Sequence, residues 1–204
     1  MTEKAQIPID LLDRNQASAL IEAWFEIVHL KQLFRKGWLE RGVEPERCET
    51  VAEHTFGNAI LCVLLLERHP ELNAERVLRL ALIHDLGEAY VGDITPRDAV
   101  PAEEKRRLES AAMRKILGKI AGGDRLIGAW EEYEAQSTAE ARFVKQIDRL
   151  EFALQASVYE HQGKVDASEF LDRVQAALTS PELLQEMAVL KNITVPRSAS
   201  SEDS

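Results

Sequence analysis

Residues 50–66 read TVAEHTFGNAILCVLLL, a capping box followed directly by an apolar run. Thr50 stands where a helix N-cap accepts a backbone hydrogen bond. Glu53 stands three positions later, where its carboxylate can reach back to the cap. A helix is therefore predicted to begin here and to continue to about Leu66. Similar start signals are Asn73, a second capping box at residues 137–140, a third at residues 166–169, and Ser180-Pro181.

The rest of the chain also predicts helices. Long ones are expected at about residues 13–33 and 102–120. The helix after residue 137 should bury an apolar stripe at helical spacing, made of Phe143, Ile147, Leu150, Leu154 and Val158. No segment alternates polar and apolar residues over the length of a strand. The predicted fold class is therefore an all-α helical bundle, with a single domain over residues 1–195 and a disordered acidic tail at residues 196–204.

Composition and charge narrow the classes of binding partner that this chain can have. The chain has 204 residues, 45% of them hydrophobic, and a formal net charge of −10. This charge argues against a nucleic-acid polymer, because polymer binding draws on many Lys and Arg contacts to phosphate. A mononucleotide needs only a local metal and a few cations, so it is not excluded. No apolar run could span a membrane, no signal core is visible, and Cys48 and Cys62 make no disulfide framework, so a cytoplasmic protein is expected.

Three separated segments place polar groups inside apolar helical stripes. They hold His54, the pair His84-Asp85, and Asp148. A buried carboxylate is costly unless it is neutralised, paired or metal-bound. Neighbours on a helix project about 100° apart, so His84 and Asp85 can flank one ion. His54 and Asp148 would reach that ion from facing helices. Two imidazoles and two carboxylates suit one divalent transition metal (Mn, Fe, Co, Ni or Zn) better than Ca, and Mg is also admitted.

Each of these residues also has a purely structural explanation. A single apolar-embedded histidine such as His54 is more often a core residue than a ligand, and His-Asp pairs occur by chance. Asp148 could simply pair with Lys145 or Arg149 on a solvated face. The ordered combination on three predicted helices is what favours a metal site between helices. His29 is predicted to be a packed core histidine.

The ordered set and its flanking residues resemble the HD superfamily of metal-dependent phosphohydrolases and, within it, the HD-domain 5′-deoxynucleotidases. The likeness spans roughly residues 15–160. It is carried by residues 30–38 (LKQLFRKGW), 49–54 (ETVAEH), 84–96 (HDLGEAYVGDITP) and 130–148. The resemblance implies removal of phosphate from 2′-deoxynucleoside 5′-monophosphates, one divalent metal as cofactor, and a homodimer.

The resemblance also implies a role for each matching position. The metal ligands are matched by His54, His84, Asp85 and Asp148. Arg35 matches the residue that grips the substrate phosphate, Trp38 matches an aromatic that orients it, and Lys36 is a second candidate for the phosphate contact. Glu88 matches a carboxylate required for turnover. The nucleoside-contacting loop is matched by Asp93, Ile94, Thr95 and Pro96, with Asp93 meeting the sugar or the catalytic water.

Structural interpretations of these positions stay open: Glu88 as solvent-facing, Arg35 as a surface cation, Trp38 as core, and Gly92-Asp93 as a plain turn. Two other functions are also weighed. One is a different HD reaction, on a cyclic phosphodiester, a nucleoside triphosphate or another small phosphate ester. The lack of a further His pair in the sequence argues against that reaction. The other is a non-catalytic, metal-stabilised binding module, which would need neither Glu88 nor Asp93.

Overall fold

The computed structural model describes residues 2–193, and within that range the chain forms ten α-helices. They are Ala19–Ile27 (α1), Lys36–Leu39 (α2), Val51–Leu66 (α3), Ala74–Ile83 (α4), Glu88–Val91 (α5), Ala102–Leu117 (α6), Gly123–Ala135 (α7), Ala139–His161 (α8), Ser168–Ala177 (α9) and Pro181–Asn192 (α10). Among the described residues there are only two isolated β-bridges and no strand. The all-α prediction is confirmed. The tail predicted at residues 196–204 lies outside the described residues.

Backbone contacts divide the chain into two compact units, and the boundary falls inside α8, after Asp148. The first unit holds α1 to α7 and the start of α8. In the second unit, Phe152 and Phe170 meet edge-to-face with ring centroids 5.4 Å apart. Arg149 Nη1 donates to the carbonyl oxygen of Ala177 at 2.8 Å. The single domain over residues 1–195 stays a prediction.

Helix starts follow the predicted caps at α3 and α4, whereas α9 has Ala167 as its N-cap and Ser180 caps α10 without a side-chain hydrogen bond. The Thr50–Glu53 box forms both of its hydrogen bonds, with Glu53 N donating to Thr50 Oγ1 and Thr50 N donating to Glu53 Oε2. The Asn73 side chain accepts the backbone N–H three residues on, which starts α4. At α8 the capping residue is Thr138, one position later than predicted, and its Oγ1 accepts from Ala141 N at 3.2 Å. Local cap chemistry therefore places α3, α4 and α8, which carry the site residues.

Two predicted helices are shorter than expected. The first begins only after Ser18, whose hydroxyl accepts the N–H of Ile21, and it tightens into a 3₁₀ turn at Val28–Lys31. Helix α6 stops at Leu117, where Gly118 takes over as the C-cap. Glycine is a weak helix former and a common residue at helix ends, which accounts for the early stop.

The core of the first unit gathers side chains from α1, α3, α4, α5, α6 and α7. Val51, Met113, Ile116 and Trp130 are all almost completely buried. The Trp130 indole N–H donates to the backbone oxygen of His84 at 3.1 Å, so the core also fixes the end of α4. None of the helices in the described range is both long and apolar enough to cross a membrane.

Candidate metal centre

Three helices bring the four predicted ligands together. His54 lies in the first turn of α3, four residues after the N-cap Thr50. Helix α4 ends at Ile83, so His84 is its C-cap residue and Asp85 lies in the turn before α5. Asp148 lies on α8. His54 and His84 are 1% and 4% exposed.

The ligand atoms of His54, His84 and Asp85 lie within 4.8 Å of one another, and Asp148 lies beside both imidazoles. Asp148 Oδ1 lies 3.2 Å from His54 Nε2 and 3.9 Å from His84 Nε2. Asp85 Oδ2 lies 3.2 Å from His84 Nε2 and 3.6 Å from His54 Nε2. Two atoms that each bind one ion at about 2.1 Å stand about 3.0 to 3.4 Å apart at octahedral or tetrahedral angles. Two of the four distances, both 3.2 Å, fall in that range, and the other two, 3.6 and 3.9 Å, lie above it.

His84 is oriented as a metal ligand requires. Its Nδ1 lies 2.8 Å from the carbonyl oxygen of Ala81, which can only accept, so Nδ1 carries the proton and Nε2 is left with its lone pair. Nε2 is buried and makes no hydrogen bond to any described residue. Two imidazole nitrogens and two carboxylate oxygens form a borderline N/O set. These residues fit a divalent transition metal.

Asp148 uses its two oxygens differently. Oδ1 faces the imidazoles, whereas Oδ2 accepts from Lys145 Nζ at 3.1 Å and from the Tyr133 hydroxyl at 3.3 Å. Lys145 also donates to the Tyr133 oxygen at 3.1 Å. Burial opposes ionisation, but Lys145 and the histidines outweigh it and hold the pKa of Asp148 well below its usual value. The Lys145 ion pair weighed from sequence is present, yet it leaves Oδ1 available.

Tyr133 had no predicted role, and only its place in the Trp-Glu-Glu-Tyr run pointed to it. It is 2% exposed, and its ring centroid lies 5.3 Å from that of His84. Burial, followed by the charge of Asp148, raises the pKa of Tyr133 well above its usual value, so the hydroxyl stays a neutral donor. It thus contacts two of the four predicted ligands, His84 and Asp148.

Glu88 opens α5, three residues after Asp85, and is 3% exposed. The interpretation of Glu88 as a solvent-facing residue is therefore wrong. Its Oε2 makes no hydrogen bond within the described part of the chain. Burial, followed by the charges of Asp85 and Asp93, raises the pKa of Glu88 well above its usual value. A carboxyl group in this setting can hold a proton at neutral pH.

Arg35 connects the cluster to the loop after α5. Its Nη1 lies 3.6 Å from Asp85 Oδ2 and 3.4 Å from Asp93 Oδ1, and its side chain is 17% exposed. Arg35 is not an ordinary surface cation. Burial acts against its charge, but Asp93, Glu88 and Asp85 outweigh it and raise the pKa of Arg35 well above its usual value. A permanent positive charge next to a cation site suits an anionic substrate group.

Trp38 and Lys36 lie in the short helix α2, and the polar atoms of their side chains contact acidic residues other than the predicted ligands. Trp38 is 1% exposed, and its indole N–H donates to Glu49 Oε1 at 2.7 Å, so its core interpretation is confirmed. The Lys36 ammonium pairs with Asp98 and lies 3.8 Å from a Glu40 oxygen. These contacts tie α2 to the loop that follows α5.

The predicted nucleoside loop begins at a genuine turn. Gly92 has φ of +77°, a conformation that favours glycine. Asp93 and Ile94 are half-buried, and Thr95 is buried, with its N–H donating to Asp98 Oδ2 at 2.8 Å. Pro96 is exposed and starts a 3₁₀ turn. Asp93 is the residue of this loop that touches Arg35.

Comparison with known proteins places the chain in a class. The HD domain family model matches residues 27–186, and the chain belongs to that family. Among curated proteins it is similar to 5′-deoxynucleotidase HDDC2 of Homo sapiens, 39% identical over 86% of each chain. It is also similar to 5′-deoxynucleotidase hdd1 of Schizosaccharomyces pombe, 41% identical over 69% of this chain and 73% of the relative.

Solved structures share the architecture. A conserved hypothetical protein from Pyrococcus furiosus superposes with a TM-score of 0.71 at 29% identity, covering 84% of this chain and 98% of its own. A predicted metal-dependent phosphohydrolase from Magnetospirillum magnetotacticum has a TM-score of 0.65 at 29% identity, covering 85% and 89% of the two chains. The family predicted from the sequence is confirmed.

Proposed function

We propose that this chain is a metal-dependent 5′-deoxynucleotidase, which hydrolyses 2′-deoxynucleoside 5′-monophosphates to deoxynucleoside and inorganic phosphate. The observation that carries the proposal is that Asp85 and Asp148 each place a carboxylate oxygen 3.2 to 3.9 Å from both the His54 and the His84 Nε2 atoms, with Arg35 beside Asp85. Relatives that carry the name 5′-deoxynucleotidase at up to 41% identity support the substrate class.

Each residue of the centre has a proposed task. The four ligands hold a divalent metal, which supplies Lewis-acid polarisation of a phosphoryl oxygen. Arg35 binds the phosphate through its guanidinium and offsets the charge that develops there during the reaction. As a water molecule attacks phosphorus and forms the new P–O bond of inorganic phosphate, the P–O5′ bond breaks, and Glu88 delivers the proton held on its buried carboxyl group to the leaving 5′ oxygen; the protons of the attacking water stay with the phosphate or pass to solvent. Asp93 keeps the Arg35 guanidinium in position and contacts the deoxyribose of the substrate.

The other residues assigned from the resemblance keep lesser tasks in this proposal. Ile94, Thr95 and Pro96 form the loop on the nucleoside side. Trp38 supports the chain next to Arg35 rather than donating to phosphate, because its N–H is used by Glu49. Lys36 holds α2 against the loop through Asp98. Arg35 is therefore preferred over Lys36 as the phosphate-binding group.

Several further assignments belong to the same proposal. The metal is Mn, Fe, Co, Ni or Zn. Mg is also compatible with the site, because two of the four ligands are carboxylate oxygens. The enzyme is cytoplasmic and acts on a mononucleotide rather than on a nucleic-acid polymer or a membrane. The homodimer is carried over from the family resemblance, and sedimentation of the full chain tests it.

The test is phosphate release by metal-stripped protein resupplied with each metal in turn. Substrates are matched deoxy- and ribonucleoside 5′-monophosphates, one cyclic phosphodiester and one nucleoside triphosphate. Metal-dependent release that favours the deoxymonophosphates supports the proposal. Turnover of only the cyclic ester or the triphosphate would assign a different HD reaction. No turnover by folded, metal-loaded protein would instead favour a binding module.

A further inference from the structure

Helix α6 packs closely against the turn that carries Asp85 and Glu88. At Gly87, which lies between these two residues, an added Cβ would stand 3.2 Å from the backbone oxygen of Glu109 and 3.3 Å from its Cα and Cβ. Contacts this short are tighter than most side chains allow, so the missing side chain of Gly87 lets α6 approach. Glu109 is 9% exposed. The face of α6 that carries Glu109 therefore lies directly against the turn that joins two residues of the centre.

Lys105 lies on the same face of α6, one turn before Glu109. Residues four positions apart on a helix are neighbours, and Lys105 Nζ lies 3.5 Å from Glu109 Oε1. A well-formed hydrogen bond between nitrogen and oxygen spans about 2.7 to 3.2 Å, so this contact is loose. It is the one ion pair of Lys105 among the residues that the structure describes, and the Lys105 side chain is 37% exposed. An ammonium group has more donors than this contact uses, so Lys105 can bind a further acceptor.

Lys105 and Arg35 border the same group of acids. Burial lowers the pKa of Lys105, but nearby negative charges outweigh it and raise the pKa; in descending order they belong to Glu109, Glu88, Asp85 and Asp93. The last three also raise the pKa of Arg35 against the effect of burial. Burial is the main cause that raises the pKa of Glu88, and Arg35 and Lys105 both act against that rise. An anion bound next to Arg35 therefore lies in the field of a second cation, Lys105.

Lys36, the other phosphate candidate named from the sequence, is less available than Lys105. Its ammonium group donates a hydrogen bond to Asp98 and lies 3.8 Å from Glu40 Oε1. A phosphate would have to displace the Asp98 carboxylate to bind Lys36. At Lys105 it competes only with the loose contact to Glu109. These contacts favour Lys105 as the partner of Arg35.

We infer that Lys105 is a second phosphate-binding residue of the centre, which contacts the substrate phosphate together with Arg35. The choice of a phosphate as the anion rests on the proposed function. The two cations have different tasks. The guanidinium fork of Arg35 can hold two oxygens in a fixed geometry, whereas the Lys105 ammonium is a compact charge on a flexible stem. That flexibility lets it leave Glu109 and stabilise the negative charge that develops on the phosphoryl oxygens.

The first arm of the test measures phosphate binding without turnover. Full-length protein loaded with Mn is titrated by calorimetry with inorganic phosphate, the product of the proposed reaction. Lys105→Met keeps an unbranched side chain and removes its charge. It should bind phosphate at least about 10-fold more weakly than wild type, because a hydrogen bond between charged groups is lost. Lys105→Arg should restore most of the affinity, and the metal content of both variants should match that of wild type.

Two further variants separate a phosphate contact from a structural role. Arg106→Met removes the neighbouring charge on the exposed side of α6 and is the matched control, which should bind phosphate like wild type. The double variant Lys105→Met with Glu109→Gln removes both members of the ion pair, so no unpaired acid is left in α6. It should bind phosphate as weakly as Lys105→Met alone. Recovery of wild-type affinity in the double variant would show that Lys105 acts only through Glu109 and would overturn the inference.

The second arm follows turnover of a deoxynucleoside 5′-monophosphate. Lys105→Met should lower kcat/KM by about 10- to 100-fold, and Arg106→Met should leave it unchanged. Phosphate binding that depends on Lys105, in a wild type that turns over no monophosphate, would reject the proposed function and support the phosphate contact. Wild-type turnover with unchanged phosphate affinity and kcat/KM in Lys105→Met would overturn the contact and leave the nucleotidase proposal standing. Metal-loaded wild type that binds no phosphate would overturn the contact as well.

Discussion

Replacing Glu88 with Gln separates catalysis from metal binding. The substitution keeps the shape of the side chain and removes its ability to give up a proton. General acid–base groups typically contribute about 10²- to 10⁴-fold, so kcat on a deoxynucleoside monophosphate should fall by that factor, which is about 3 to 5 kcal/mol in the barrier. The metal content should not change, because the four converging ligand atoms belong to other residues.

The same substitution should stabilise the metal-free protein. Burial and the charges of Asp85 and Asp93 raise the pKa of Glu88 above its unfolded-state value. The ionised form is thus disfavoured in the folded state, and the loss of stability appears as pH rises above about 4.5. Gln removes that loss. The free energy of unfolding should therefore be higher for Glu88→Gln than for wild type at pH 8, and the difference should vanish near pH 4.

The assay combines steady-state phosphate release, metal per chain by elemental analysis, and urea unfolding of metal-free protein at pH 4 and pH 8. The control is Glu67→Gln, an exposed acid beyond the end of α3, which should leave all three quantities unchanged. Unchanged turnover of Glu88→Gln would refute the proposed proton donor. Loss of the metal together with turnover would refute the separation of roles.

Two further substitutions test other parts of the centre, and a third tests Glu109, a buried acid on α6. Arg35→Lys should lower kcat/KM by about 10- to 100-fold, because a lysine lacks the fork that reaches phosphate and Asp93 together; an unchanged value would remove Arg35 from the site. Tyr133→Phe should weaken metal binding about 10-fold in a chelator competition, since Asp148 loses its hydroxyl donor. Burial raises the pKa of Glu109 to about 7, so ionised Glu109 opposes folding above about pH 4.5. Glu109→Gln should therefore add up to about 3 kcal/mol to the free energy of unfolding at pH 8 and nothing at pH 4.

The helices that carry the site could be predicted because their signals are local. The Thr50–Glu53 box and the Asn73 cap lie within one turn of the helices they start, and both form as predicted. The N-terminal helix was predicted too long, since a cap at Ser18 cannot be told from other polar residues by sequence alone. The early end of α6 likewise depends on which of several glycines ends the helix.

The sequence predicted which polar residues would lie close together, but it did not predict what surrounds them. His54, His84, Asp85 and Asp148 stand out because polar groups interrupt apolar stripes. The burial of Glu88 and the hydrogen bond between His29 and the backbone oxygen of Ala89 bring α5 together with residues far from it in the chain. Long-range packing of this kind leaves no periodic trace in the sequence.

The central claim is that four side chains hold one divalent ion, and metal stoichiometry tests it most directly. Elemental analysis of folded wild type and of Asp148→Ala, each purified without added chelator, should give one ion per chain for wild type and none for the variant. Folded wild type without bound metal after incubation with Mn, Co and Zn would contradict the account. Full metal content in a folded Asp148→Ala protein would contradict it as well.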